Sequence, residues 1–165
     1  MRIIKAVLLC ASIALGGCGY TTKACFLPTS IRSVYVETFQ NDTDQPNLEN
    51  ELRTRLIAFF QNDGNLKIAS ADDADAVLKG KLLRYSRQAL RYANDETIEE
   101  YRLVVSAKFE FIDRASKETV VKADDFPADT SYFLQGSSAK SESTARSDVL
   151  DELSRRIVNK IITLW

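Results

Sequence analysis

Few side chains in this sequence could support catalysis or bind a metal. Histidine does not occur among the 165 residues, which excludes Ser-His-Asp and Cys-His catalysis and removes the commonest zinc ligand. Asp72, Asp73 and Asp75 could supply oxygen ligands, but Ca²⁺ takes about six to eight oxygens from a formed loop, so a polar turn is the simpler interpretation. An enzyme that uses only carboxylates stays possible, although no pattern favours one. We expect no catalytic residue, no metal and no cofactor.

The most distinctive reactive residue is Cys18, which ends a segment typical of exported proteins. Arg2 and Lys5 form a short positive region, and residues 6–15 are apolar apart from one serine. This order of positive charge, apolar run and small residues is that of a secretory signal. The run has about ten residues, whereas a membrane-spanning helix needs roughly 20. The segment can therefore direct export, but it is too short to stay in the bilayer as a helix.

The residues directly before Cys18 indicate a lipid modification. Leu15-Gly16-Gly17-Cys18 resembles the lipobox, in which a diacylglyceryl group is attached to the cysteine thiol before cleavage. Several acyl chains on one residue anchor a protein far more firmly than a single chain does. We predict a signal peptide over residues 1–17 and a lipid anchor on Cys18. The alternatives are a plain signal peptide and a buried N-terminal helix.

Cleavage at this point would leave a chain with one unmodified cysteine. Removing 17 of the 165 residues leaves 148, which suits a single domain with a substantial core. Loss of Arg2 and Lys5 changes the formal net charge from −1 to −3, so no general attraction to nucleic acid is expected. Cys25 cannot form a disulfide within such a chain. It is either buried and inert, which we favour, or available to another chain.

A cluster of basic residues between positions 79 and 91 is the best candidate for binding an anionic ligand. Four of its members have odd numbers, so their side chains share one face if the strand is regular. These four are Lys79, Lys81, Arg87 and Arg91. Arginine forks suit phosphate, and the interleaved Tyr85 and Tyr92 could contact acyl chains or sugars. The alternative is a solvated strand face whose charges pair with Glu99, Glu100 or Glu110.

The first half of the predicted domain contains a strand, a helix and a short strand. Residues 31–39 are rich in β-branched and aromatic types, which favours a strand. Pro46 suits the first turn of a helix, and Gly64 suits its left-handed C-terminal cap. Between them, apolar residues recur at helical spacing, namely Leu48, Leu52, Leu56, Phe59 and Phe60. Residues 66–69 are enough only for a short edge strand.

The second half predicts a long hairpin and a second helix. Residues 76–92 form an extended run, and residues 100–113 alternate apolar and polar side chains with period two, which is typical of a strand with one buried face. Residues 114–136 are the least readable. Residues 119–122 could extend the sheet, whereas Phe126-Pro127 is more typical of a loop. After Ser141, a candidate N-cap, apolar residues repeat every four positions: Ala145, Val149, Leu153, Ile157 and Ile161.

Together these elements predict an α+β fold. Each helix has one apolar stripe, and two such helices can cover one face of a small sheet. We therefore expect a two-layer sandwich, with both helices on one face of a mixed or antiparallel sheet of about four strands. Residues 18–28 would form a lipidated tether and residues 29–165 a single domain. The other sheet face would be open to a ligand or partner.

The succession of motifs resembles the lipopolysaccharide-assembly lipoprotein family, LptE. The resemblance begins with Cys18-Gly19-Tyr20 and continues through LPTSIRSVYVETFQNDTDQPNLENELRTRLIAFF, NDGNLKIASADDADAVLKGKLLRY and EYRLVVSAKFEFID to the closing apolar helix. It covers nearly the whole chain after the signal segment, in order. The stretch between residues 114 and 138 matches least.

The resemblance implies a non-enzymatic function at the outer membrane. Members of the family act as plug and chaperone for the β-barrel protein LptD, and the two proteins together insert lipopolysaccharide (LPS) into the outer leaflet. Gly19 after the acylated cysteine agrees with this location, because it is not the aspartate that retains lipoproteins at the inner membrane in enteric-type sorting. The alternatives are a generic envelope scaffold lipoprotein of another outer-membrane assembly and, more remotely, an envelope hydrolase.

Overall fold

Two helices cover one face of a six-stranded mixed sheet in the computed structural model, which describes residues 30–93 and 96–163. In chain order the elements are β1 (Ser33–Val36), β2 (Gln40–Asn41), α1 (Leu48–Asp63), β3 (Lys67–Ile68), β4 (Ala76–Tyr92), β5 (Ile98–Asp113), β6 (Thr119–Phe133) and α2 (Glu142–Ile162). The predicted signal peptide, the tether residues 18–28, Cys18 and Cys25 lie outside the described residues.

The sheet confirms the α+β sandwich but has more strands than the expected four. Its order is β3-β1-β4-β5-β6, with β2 paired to β4 beyond the end of β1. The strand predicted over residues 31–39 is shorter, Ser33–Val36, and a second short strand follows it, because the chain leaves β4 after Val36 and rejoins it at Gln40. The long β4–β5 hairpin is antiparallel, as expected.

Strand β6 occupies most of the stretch that was hardest to interpret. The expectation of a loop at Phe126-Pro127 is wrong, because both residues pair with β5. As β6 pairs with only one neighbouring strand, a proline is tolerated there, since only one side of an edge strand needs hydrogen bonds. Carboxylates on the same strand are also typical of edges that avoid pairing with other chains. The prediction that residues 119–122 extend the sheet is confirmed, and the strand continues beyond them to Phe133.

The core lies between the two helices and the sheet and is built from the predicted stripes. Helix α1 buries Leu48, Leu52, Leu56 and Phe60, each fully, and α2 buries the five residues of its four-residue repeat. Strand β5 contributes Leu103, Val105, Ala107, Phe109 and Phe111, all fully buried. The caps also follow the sequence. Gly64 ends α1 at φ 78°, and the Ser141 side chain accepts a hydrogen bond from the Thr144 N–H.

The acidic turn before β4 has a structural role. The Asp75 carboxylate accepts hydrogen bonds from the Arg32 and Ser33 N–H groups, both at 3.0 Å, and from the Ser33 hydroxyl at 2.8 Å. The Ser33 hydroxyl is the main reason why the pKa of Asp75 lies below its usual value. Arg114 donates to the carbonyls of Ala71, Asp72 and Ala74. This turn therefore joins the start of β1 to β4 and β5.

Candidate functional site

The four predicted ligand-binding residues do not all lie on one sheet face. Residues paired across a sheet share a face, and Lys79 pairs with Glu110 and Lys81 with Lys108, on the face away from the helices. Arg87 instead pairs with Leu103, whose side chain is in the core beneath the helices. The expectation of a shared face is wrong for Arg87.

Two β-bulges in β4 explain the difference. Between Leu82 and Arg84 the strand gains one residue relative to β5. Odd-numbered side chains of β4 therefore point away from the helices before this bulge and towards them after it. A second shift between Ala89 and Arg91 reverses these directions again, so Arg91 pairs with Glu100 on the open face. Simple parity holds only within a regular ladder, and the ladder between β4 and β5 is shifted at both of these places and again between Arg91 and Tyr92.

On the open face, the lysines have carboxylate partners. Lys79 Nζ lies 3.5 Å from Glu110 and Lys81 Nζ lies 2.7 Å from Asp42. With Lys108, they line a shallow cavity of about 350 Å³ beside the break between β1 and β2. Arg91 pairs with Glu100 at 3.7 Å. This ion pair and the one between Lys79 and Glu110 are among those expected if the strand face is solvated and its charges pair with one another.

Further ion pairs continue across this face. Asp124 lies between two lysines, 3.1 Å from Lys108 and 3.4 Å from Lys122, and Lys108 is the main cause of its lowered pKa. Arg102 pairs with Asp129 at 3.0 Å. Exposed pairs of this kind add little stability, but they neutralise the positive charge that an anionic ligand would need.

On the opposite face, Arg87 belongs to a cluster that packs against the start of α2. We call it the Arg87 cluster, and it consists of Tyr85, Arg87, Tyr101, Tyr132 and Glu142. The Arg87 guanidinium pairs with the Glu142 carboxylate and lies 4.6 Å from the centre of the Tyr101 ring. The Tyr85 hydroxyl donates to the same carboxylate at 3.1 Å. Tyr101 and Tyr132 have ring centres 5.9 Å apart.

The electrostatics of the cluster reflect its partial burial. Burial first, and the bond to Glu142 second, raise the pKa of Tyr85 to about 12, so this hydroxyl stays a donor. The Tyr132 hydroxyl is buried and meets Arg87 without the geometry of a well-formed hydrogen bond. This contact, together with Glu142, raises the pKa of Arg87. Sequence reasoning missed Glu142, because no local pattern connects it with Arg87, 55 residues away.

Beyond Arg87, the far end of the sheet exposes apolar side chains. Among the described residues, the exposed large hydrophobic side chains are Leu90, Tyr92 and Leu134, at 50%, 60% and 44% exposure. Tyr92 and Leu134 lie at the start of β5, where Tyr92 pairs with Ile98 and the Leu134 N–H donates to the Glu99 carbonyl, and Leu90 precedes Tyr92 by two residues on β4. Arg91 lies over the Phe133 ring at 5.5 Å. We call this region the hairpin end.

The part of the chain that the structure describes has neither a metal-binding cluster nor a membrane-spanning helix. Within residues 30–93 and 96–163, no group of three or more acidic, cysteine or histidine side chains could hold a metal ion. In the same ranges, no helix is long and apolar enough to cross a membrane. An arginine beside tyrosines, followed by exposed apolar residues, suits a ligand that has both phosphate and hydrocarbon parts. The Arg87 cluster and the hairpin end thus offer positive charge and apolar area to a ligand or partner.

Comparison with known families identifies the kind of assembly. The chain belongs to the family LptE, described as lipopolysaccharide-assembly, whose model matches residues 31–164. This match confirms the resemblance described above. As a member of this lipoprotein family, the chain has a role in LPS assembly. No curated protein sequence matches the chain significantly.

Solved structures share the fold at low sequence identity. A protein from Xanthomonas campestris has a TM-score of 0.61 at 10% identity, over 84% of this chain and 91% of that one. Uncharacterized lipoprotein B from Nitrosomonas europaea has a TM-score of 0.57 at 12% identity, over 85% and 86%. A minor lipoprotein from Acinetobacter baumannii has a TM-score of 0.52 at 19% identity, over 80% and 93%. At such identities these likenesses show the fold alone.

Proposed function

We propose that this protein is an outer-membrane lipoprotein that binds LPS and assembles with the β-barrel protein LptD as its plug. In this proposal the signal peptide is residues 1–17, Cys18 carries the lipid, residues 18–28 form the tether and residues 29–165 form one domain. Membership of the lipopolysaccharide-assembly family supports the proposal. The lipid on Cys18 would hold the domain at the membrane where LPS is inserted.

The observation that carries LPS binding is the proximity of arginines to exposed apolar residues. Arg87 and Arg91 lie on opposite faces of β4, close along the strand to Leu90 and Tyr92, which are exposed at the hairpin end. LPS combines phosphates with acyl chains, so it can use a guanidinium group and the apolar surface together. Lys79 and Lys81 remain in the proposed set, but their ion pairs with Glu110 and Asp42 favour a weaker contribution.

Association with the barrel is tested by co-purification. The full-length protein with an affinity tag is isolated in mild detergent, and co-purification of LptD is expected in stoichiometric amount. A matched preparation of another acylated lipoprotein controls for co-solubilised membrane. Recovery of a different outer-membrane assembly, with no LptD, would favour the scaffold alternative and contradict the proposal.

A further inference from the structure

Glu142 holds the donor groups that a phosphate would use. Its carboxylate accepts the Tyr85 O–H and pairs with the Arg87 guanidinium. Carboxylate and phosphate oxygens are bound by the same charge-assisted donors, and an arginine fork fits both. The Arg87 and Glu142 side chains are 46% and 40% exposed, so a ligand from solution can reach this pair.

Two further features make this position favourable for an anion. Glu142 is the first residue of α2, a helix of 21 residues, and the N-terminus of a helix attracts negative charge. The hydroxyl of Tyr132, a residue only 2% exposed, lies next to Arg87 without a well-formed hydrogen bond. The cluster therefore contains a buried hydroxyl with no hydrogen-bond partner among the described residues.

We infer that the Arg87 cluster is a phosphate-binding site occupied by the protein's own Glu142, which a phosphate on an amphiphilic ligand must displace. This inference rests on the proposed function for the ligand's class, a phosphorylated glycolipid, and adds its recognition site and competitor. Exposed ion pairs are weak, so a phosphate bearing up to two charges can replace the carboxylate. The ligand's apolar part then extends towards Leu90 and Leu134 at the hairpin end.

A purely structural role for Glu142 leads to a different expectation. Glu142 also joins the start of α2 to β4, 55 residues away. If this structural contact were its only role, loss of the Glu142 carboxylate would lower the stability of the fold and leave the affinity for the ligand unchanged or reduced. If it is a competitor, its loss strengthens ligand binding even when stability falls.

The test uses the full-length acylated protein in neutral detergent micelles. Glu142→Gln is compared with Glu152→Gln, which removes the same charge from the same helix at a carboxylate paired with Arg155. The probes are purified LPS, dephosphorylated LPS and inorganic phosphate as a competitor. Binding is followed by fluorescence titration, and unfolding of each variant is measured in parallel.

We expect Glu142→Gln to bind LPS about two- to fivefold more tightly, the factor that corresponds to loss of one competing exposed ion pair. Glu152→Gln should bind as the wild type does, and dephosphorylated LPS should not distinguish the variants. Adding Arg87→Gln to Glu142→Gln should abolish the gain. If inorganic phosphate competes but dephosphorylation has no effect, the site binds free phosphate and the lipid assignment is overturned.

Failure of this inference can be distinguished from failure of the proposed function. If the wild type binds LPS and Glu142→Gln binds it equally or more weakly, Glu142 has only a structural role and the inference is wrong. If neither protein binds LPS and LptD does not co-purify, the proposed function itself is wrong.

Discussion

Lys81 and Arg87 lie on opposite faces of the sheet, although they are six positions apart on one strand. Lys81 pairs with Lys108 and Arg87 with Leu103, because β4 gains a residue between Leu82 and Arg84. The bulge places Lys81 beside Asp42 on the open face and Arg87 beside Glu142 under the start of α2. One inserted residue thus separates Arg87 from Lys79 and Lys81 and gives it different neighbours.

Position along β4, more than sheet face, predicts which charges matter for LPS, because Arg87 and Arg91 are nearer the exposed apolar residues of the hairpin end than the two lysines are. Replacing Arg87 and Arg91 with glutamate should weaken LPS binding and reduce its dependence on salt, since exposed charges are screened over about 8 Å at physiological ionic strength. The matched double replacement of Lys79 and Lys81 with glutamate should have a smaller effect. Titration with LPS at two salt concentrations measures both.

The opposite result for these two variants would place the ligand elsewhere. If the lysine variant loses LPS and the arginine variant keeps it, the binding site is the cavity at the break between β1 and β2. If the arginine variant loses LptD but keeps LPS, this end of β4 contacts the barrel.

Maturation should depend on Cys18. Cys18→Ser should abolish lipid labelling and leave an uncleaved precursor, because the acyl group is attached to the thiol before cleavage. Labelling with a radioactive fatty acid, followed by electrophoresis and membrane fractionation, measures this. Cys25→Ser is the matched control and should be labelled, cleaved and recovered with the outer membrane. Normal maturation of the Cys18 variant would contradict the lipid-anchor prediction.

The orientation of β5 predicts unequal effects of two neighbouring substitutions. Phe109 is fully buried, so Phe109→Ala should lower the free energy of unfolding by about 3–5 kcal/mol. Lys108 is 44% exposed and paired with Asp124, so Lys108→Ala should cost at most about 1 kcal/mol. Denaturant titration of both variants provides the test, and equal effects would be incompatible with this strand orientation.

Asp75 should make stability depend on pH in the acid range. Hydrogen bonds from Ser33 and Arg32 lower its pKa below 3.8 in the folded state, so the folded protein favours the ionised form. The resulting stabilisation is present above pH 3.8 and is lost as the pH falls through the lower folded pKa. Asp75→Asn should be less stable at neutral pH and lose less stability on acidification. Unfolding titrations at several pH values measure this, and parallel curves would refute it.

Much of the fold was predictable because it follows from local patterns. The four-residue repeats of both helices identified their buried stripes, and the alternation in residues 100–113 identified the core face of β5. In each case one regular element faces one core, so position along the chain determines direction. The edge strand β6 was less predictable, since its polar residues and Pro127 resemble those of a loop.

The sequence by itself determined the motif at Cys18, the absence of histidine chemistry, the helical stripes and the family resemblance, because each of these is encoded in neighbouring residues or overall composition. Only the tertiary structure decided the neighbours of the basic residues. The bulges in β4 depend on how β4 and β5 align, and the pairing of Arg87 with Glu142 depends on where α2 packs. Neither can be read from spacing, because both join residues that are distant in the chain and meet only when the core assembles.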